Sequence, residues 1–258
     1  MAEITGIAWT DSTFNPWIGC TKVGPGCDHC YAEALDKRHR WKGDTHWGAG
    51  KPRMRTSAGN WAKPLAWNRA REKDGKTHRV FCASLADVFD NEVPDEWRFD
   101  LWQLIGMTPA LTWPLLTKRI GNAVKMWPEP LPEENWMHFP NVWLGATIVN
   151  AEEAERDVPK LLATPAAKRF VSYEPALGPV DWMKFPGIDW IIVGGESTQG
   201  AKARPFNQAW ALTTILDAKH IGAAPFVKQL GSGFGFKDRA GADPAEWPAD
   251  LRVREFPS

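Results

Sequence analysis

The stretch NVWLGATIVNAEEAERDVPKLLATPAAKRFVSYEPAL, residues 141–177, decides the fold class. It opens with an apolar run that closes on Thr147 and Asn150. AEEAERDVPKLLAT follows, with an acidic first turn that suits the positive end of a helix dipole. KRFVSYEPAL is then a second apolar run, closing on Glu174. Strand, helix and strand at this spacing form a βα unit of a parallel sheet.

The same scheme recurs on both sides. HRVFCASLADVFD (78–90) begins as a buried strand and leads to VPDEWRFDLWQLIGMT, a helix with Pro94 near its start. LTWPLLTKR (111–119) repeats it, as do DWIIVGGES (189–197), which leads to a helix around NQAWALTTILDAKHIG, and APFVKQLG (224–231). With a first unit after the cysteine-bearing segment, six or seven units result. The expected fold is α/β, a partial or complete β/α barrel of the TIM type, with residues 1–258 as one domain.

Polar residues fall at the ends of these runs: Ser84 and Asp87, Thr117 and Lys118, Thr147 and Asn150, Glu174, Glu196, and Lys228 with Gln229. In parallel barrels the strand C-termini share one mouth, where active sites lie. Taken singly, each residue could cap a helix or face water. Glu174 and Glu196 stand out, because an unpaired carboxylate after an apolar strand is costly to bury.

Composition narrows the function. Lys plus Arg and Asp plus Glu each number 31, so net charge does not hold this chain to nucleic acid. The opening MAEITGIAWTDSTF has no basic segment before an apolar core, and no membrane-length apolar run follows. A reducing cytoplasm is expected. Sixteen tryptophans, Trp17, Trp61, Trp67, Trp113 and Trp127 among them, are read chiefly as large apolar plugs and secondarily as stacking platforms for bases.

Residues 36–76 are basic, Trp-bearing and poor in aliphatic side chains, and read as an excursion from the barrel with a helix near 61–72. Two readings stand level: a solvated loop, or a lid and nucleic-acid contact surface in which Lys37, Arg38, Arg40, Lys51, Arg53 and Arg55 pair with phosphates.

NPWIGCTKVGPGCDHCYAEAL (15–35) holds three of the four cysteines, Cys20, Cys27 and Cys30, in a Gly/Pro-shaped loop. The CxxC half brings two thiolates within reach of one metal centre. Structural zinc needs a fourth ligand: His29 between two cysteines is poorly placed, His39 is possible, and Cys82 falls inside a predicted strand, so none is convincing. A 4Fe-4S cluster held by three cysteines leaves one iron open for a ligand. A thioredoxin-like pair is a weaker reading of Cys27 and Cys30, and Cys82 suits a buried core.

FNPWIGCTKVGPGCDHCYAE, VFCASLADVFDNEVPDEW, LTWPLLTKR, NVWLGATIVN, RFVSYEPALGPV, DWIIVGGES with ARPF, and PFVKQLG together resemble a phage-associated three-Cys-motif protein family of unknown function. Its members resemble radical S-adenosylmethionine enzymes. The resemblance implies a barrel of that kind, with Cys20, Cys27 and Cys30 on a 4Fe-4S cluster whose open iron takes S-adenosylmethionine. By barrel position, Ser84 and Asp87 would meet the methionine amino group, Lys118 its carboxylate, and Thr147 and Asn150 the ribose. Glu174, Glu196 and Lys228 would act on substrate. The first cysteine gap is longer than in the usual CxxxCxxC, and His29 holds the aromatic position.

The phage association implies a nucleobase or nucleotide substrate in DNA modification, with rearrangement of a thymine-derived side chain as one reaction. It also implies an external electron donor and the host cytoplasm as compartment. The alternatives are a zinc-stabilised binding module without catalysis and a hydrolase using Glu174 and Glu196 as paired carboxylates.

Overall fold

The structure, a computed structural model, describes residues 5–128, 139–197 and 203–258. Residues 1–4, part of the opening read above for a leader signal, lie outside them. The protein has a mixed α/β fold with a parallel five-stranded sheet. The chain divides into two compact units, the first made of residues 1–23, 32–144 and 164–167, the second of 24–31, 145–163 and 168–258.

In the first unit, β1 (Ser12–Thr13) runs parallel to β4 (Val80–Phe81), and β2 (Trp17–Ile18) runs antiparallel to β3 (Met54–Arg55). Isolated parallel bridges, Arg79 with Thr112 and Cys82 with Leu115, set β4 beside β5 (Trp113–Thr117). The helices are α1 (Tyr31–His39), α2 (Ala58–Trp61), α3 (Lys63–Asp74), α4 (Asp95–Gly106) and α5 (Ile120–Met126). Pro94 stands just before α4, where its missing N–H costs nothing.

The five-stranded sheet runs in the order β5, β6 (Val142–Thr147), β7 (Lys168–Tyr173), β8 (Trp190–Gly194), β9 (Ala224–Gln229). In the second unit, β7, β8 and β9 pair in parallel with Phe170 opposite Trp190 and Trp190 opposite Ala224. β8 is a continuous buried apolar run, and Phe170–Val171 and Phe226–Val227 are its buried apolar neighbours, as suits a parallel sheet covered by helices; α6 (Ala151–Ala163) and α7 (Gln208–His220) belong to this unit. Gly145 is required within β6, since a Cβ there would lie 2.2 Å from the Phe170 ring.

The outer edge of β9 is taken by the C-terminal segment running antiparallel, with Val227 N donating to Val253 O (2.8 Å) and Glu255 N to Pro225 O (3.0 Å). The edge that a complete barrel uses for closure is therefore occupied over this stretch. Many of the tryptophans are core: Trp17, Trp113, Trp182, Trp190 and Trp247 are among the largest fully buried side chains, whereas Trp61 is half-buried.

The 36–76 excursion differs from a solvated loop. Asp36 is fully buried and accepts from His46 N (2.7 Å), and the His46 ring sits between the carbonyls of Trp41 (3.0 Å) and Pro52 (2.9 Å). α3 covers the helix expected near 61–72.

Candidate functional site

Cys20 sits in the first unit, directly after Gly19. That glycine has φ +114°, and a Cβ on it would lie 2.3 Å from the His46 carbonyl oxygen, so only glycine lets the chain pass. Burial, reinforced by the Asp87 and Asp90 carboxylates, pushes the Cys20 thiol up to about 12. Arg119 works the other way. One guanidinium nitrogen lies 3.8 Å from Sγ, and the same nitrogen donates to Thr21 O at 2.7 Å.

Behind these groups lies a buried ionic network. Arg53, with no exposed side-chain surface, pairs with Asp90 at 2.8 Å and donates to Thr21 Oγ1 at 2.8 Å. Asp90 also faces Arg119 at 3.7 Å. Asp87 accepts from Thr117 Oγ1 (2.7 Å) and from the backbone of Lys118 (3.0 Å) and Phe89 (3.0 Å). Three donors on one carboxylate fix it as an acceptor.

Cys27 and Cys30 sit in the second unit. A 3₁₀ turn over Pro25–Cys27 buries Cys27, and Cys30 stands half-buried immediately before α1. Arg204 anchors the turn, donating to Pro25 O and to Asp28 Oδ2, both at 3.0 Å. Its remaining donors go to Glu196 at 2.6–3.2 Å, and its backbone N–H also reaches Glu196 at 2.9 Å. His29 Nδ1 completes the set, 2.9 Å from Glu196 Oε2. A carboxylate can only accept here, so Nδ1 carries the proton. Burial raises the Glu196 carboxyl, but the Arg204 and His29 hydrogen bonds outweigh it and hold it at about 2.

A separate polar pair lies at the ends of β7 and β9. Lys228 Nζ is 3.3 Å from Glu174, whose Oε2 also accepts from Ser172 Oγ at 3.3 Å. A Cβ on Gly194 would lie 2.4 Å from Glu174 Oε1, and one on Gly195 would lie 2.3 Å from the Leu230 carbonyl oxygen. The two glycines before Glu196 thus answer steric needs.

The chain matches, over residues 4–246, the family described as protein of unknown function DUF5131. It belongs to that family. No curated protein matches it. Among solved structures it is similar to a spore photoproduct lyase mutant with bound AdoMet and dinucleoside spore photoproduct, at 10% identity and a TM-score of 0.46. That likeness covers 80% of this chain, which spans 60% of the lyase chain.

In this DUF5131 protein the expected site residues fall into separate groups. Cys20 and Asp87 lie close together in the first unit; Glu174 and Lys228 pair in the second. Glu196, expected to act on substrate, accepts here from Arg204 and His29 and so holds the cysteine turn. Asn150, expected at a ribose, caps α6: its Oδ1 accepts from Glu153 N (2.9 Å), and Glu153 Oε2 accepts in return from Val149 N (3.0 Å). Thr147 is buried at the end of β6, and Lys118 is exposed just after β5. Ser84 Oγ accepts from Asn15 Nδ2 at 3.0 Å.

Of the expected nucleic-acid contacts, Arg53 is corrected outright, because it is buried in the Asp90 pair. Arg55 pairs with Asp100 at 2.6 Å and lies over the Trp61 ring at 4.5 Å. Lys37 pairs with Glu33 (2.7 Å) and Lys51 with Asp44 (3.7 Å), both at the surface; Arg38 and Arg40 are exposed. Arg119, Asp90 and Arg204 were missed as site residues; LTKR and VFDNE place the first two just past an apolar run, whereas Arg204 in ARPF lies beyond a polar loop and has no such signal.

All four thiols are free, and burial drives the Cys82 thiol upward as suits a core residue. Three free soft donors fit an iron–sulfur cluster by chemistry. Among the described residues, no group of three or more His, Cys, Asp or Glu side chains is gathered as a metal site.

Proposed function

We propose that this chain is a radical S-adenosylmethionine enzyme acting on a nucleobase or nucleotide. The observation that carries the reading is the anchored Cys27–Cys30 turn. Arg204, Glu196 and His29 hold a segment bearing two free thiols, and Cys20 completes the cysteine spacing. A segment that served only as a surface turn would need no anchor built on the buried Glu196 carboxylate.

Cys20, Cys27 and Cys30 would hold a 4Fe-4S cluster on a partial barrel of parallel strands. When bound, the cluster supplies one electron for reductive cleavage of S-adenosylmethionine, which opens unactivated C–H positions to reaction. The chain's own residues do the rest. Arg119 offers a donor beside Cys20 and offsets the charge of Asp87 and Asp90. Lys118 is assigned to the methionine carboxylate, with Ser84, Asp87 and Thr147 as further polar contacts. Glu174 and Lys228 bind substrate, the carboxylate accepting and the ammonium donating.

Rearrangement of a thymine-derived side chain in phage DNA modification, with an external flavodoxin- or ferredoxin-type donor in the host cytoplasm, is the form of the reading that the sequence resemblance favours.

The test is iron and sulfide content with an absorption spectrum on anaerobically purified protein, then reduction with S-adenosylmethionine and assay for 5′-deoxyadenosine. The reading expects about four irons, a brown protein and product formation lost in Cys27→Ala. Colourless protein with stoichiometric zinc would overturn it and make the chain a zinc-stabilised binding module.

A further inference from the structure

The loop after β9, LGSGFGFKDRAG (230–241), is built in two parts within the second unit. Its base is closed. Leu230 N donates to Gly241 O (2.9 Å) and Ser232 N to Glu196 O (3.0 Å). A Cβ on Gly231 would lie 2.8 Å from Glu196 O, and one on Gly241 would lie 2.6 Å from Gly231 O. The far limb is tied by carboxylates. Glu246 accepts from Lys237 N (3.0 Å) and Asp238 N (3.1 Å), and Asp238 accepts from the backbone of Ala240 and Ala242.

Between these ties the tip is bare. A Cβ on Gly233 or Gly235 would meet nothing within 4 Å. Phe234 stands there 37% exposed, stacked on Phe236 with ring centroids 5.7 Å apart and edge-on to Phe206 at 6.3 Å. Lys237 and Arg239 follow it in the same loop, both exposed, and among the described residues neither makes an ion pair. The nearest carboxylates in sequence, Asp238, Asp243 and Glu246, each accept from backbone amides.

We infer that this loop is a stacking site for an unpaired base of single-stranded nucleic acid, with Lys237 and Arg239 on its phosphates. A phenyl ring backed by a second ring offers a flat face to any base, and exposed cations in the same loop can supply the backbone contact. A protein partner fits less well. A stable interface buries about 1,200–2,000 Å², whereas one open ring and its neighbours suffice for a base. The inference rests on the nucleic-acid part of the proposed function and is independent of the cluster.

The experiment is fluorescence anisotropy of the full chain, as purified, with a labelled single strand of about twelve nucleotides, repeated between about 50 and 200 mM salt. Phe234→Ala should weaken binding about ten-fold with the salt slope unchanged, and Phe234→Trp should restore it. Lys237→Ala with Arg239→Ala should lower the slope by about 1.4. Thermal melting of each variant close to that of the parent shows that the fold is intact. No binding by the parent, equal binding by Phe234→Ala, or preference for duplex over single strand would each overturn the site. Iron content of the same preparation separates this outcome from failure of the cluster reading.

Discussion

Glu196 shows how far a single residue can be read. Its place after an apolar strand marks it as an acid needing partners, but the partners were hidden. Arg204 lies beyond a loop and His29 lies far away in sequence, so neither hydrophobic period nor motif spacing pairs them. The carboxyl titrates at about 2 against 4.5 unperturbed, so its stabilisation is complete above about pH 4.5 and is lost as pH falls through about 2. Glu196→Gln should remove that dependence. In urea titrations the parent's advantage, on the order of 2–3 kcal/mol near neutrality, should shrink steadily from about pH 5 to pH 2. Parallel pH profiles would show that the anchor contributes nothing. The neighbouring glycines separate in a similar way. Gly195→Ala meets a backbone carbonyl that cannot move cheaply and should cost about 2–3 kcal/mol. Gly194→Ala meets chiefly the movable end of Glu174, so it should cost less and instead weaken the Glu174–Lys228 pair. Chemical denaturation of both variants checks the order.

Elements were more legible than their duties. The acidic first turn of 151–163 predicts α6, yet Asn150 fits a cofactor contact equally well in the sequence, because a residue at a strand end is also the residue before the next helix. The two roles predict different results. As the cap that the geometry shows, Asn150→Ala should lower stability by about 1 kcal/mol, measured by urea unfolding without any cofactor. An unchanged midpoint would return Asn150 to the ligand side. For the 36–76 excursion a solvated loop and a contact surface stand level in the sequence, for a related reason. Its poverty of aliphatic residues suggested solvent, but it is held by ionic and carbonyl contacts around Asp36, His46 and Arg53, which a hydrophobic pattern does not register. Arg53→Ala leaves Asp90 without its main partner and should cost about 3–5 kcal/mol, whereas Arg38→Ala, at an exposed helix end, should fall within about 0.5 kcal/mol. Equal effects would place both residues at the surface. The same contrast explains why Arg119 escaped notice beside Cys20: charge partners across a fold carry no periodic signal.

At the scale of the whole molecule, alternating apolar runs and helices sufficed to predict parallel strands in sequence order, because each parallel strand needs a long crossover, usually a helix, before the next; between β7 and β8 that crossover carries only a 3₁₀ turn at Trp182–Lys184. What they could not predict is where the sheet ends. Edges depend on which segment returns to cover them, and VREF near the C-terminus has no strand-length apolar run. In the structure those residues pair with β9, Trp190 Nε1 donates to Glu255 O at 2.9 Å, and Arg254 lies over Phe226 at 5.6 Å and Trp247 at 5.2 Å. Phe256 adds ring contacts to Trp190 and Phe226 at 5.3 and 5.4 Å. Removing 253–258 should therefore do two things together. It should lower the melting temperature by several degrees, about 4 °C or more, through lost edge hydrogen bonds and uncovered aromatic surface. It should also promote self-association, since an open apolar edge strand templates further pairing. Light scattering on the truncated chain reads the second effect, and Arg254→Ala should reproduce only part of the first, because the backbone pairing survives it. A truncated chain that melts with the parent and stays at the parent's mass would mean that the edge of β9 needs no cover, and that the segment is held by the sheet without supporting it.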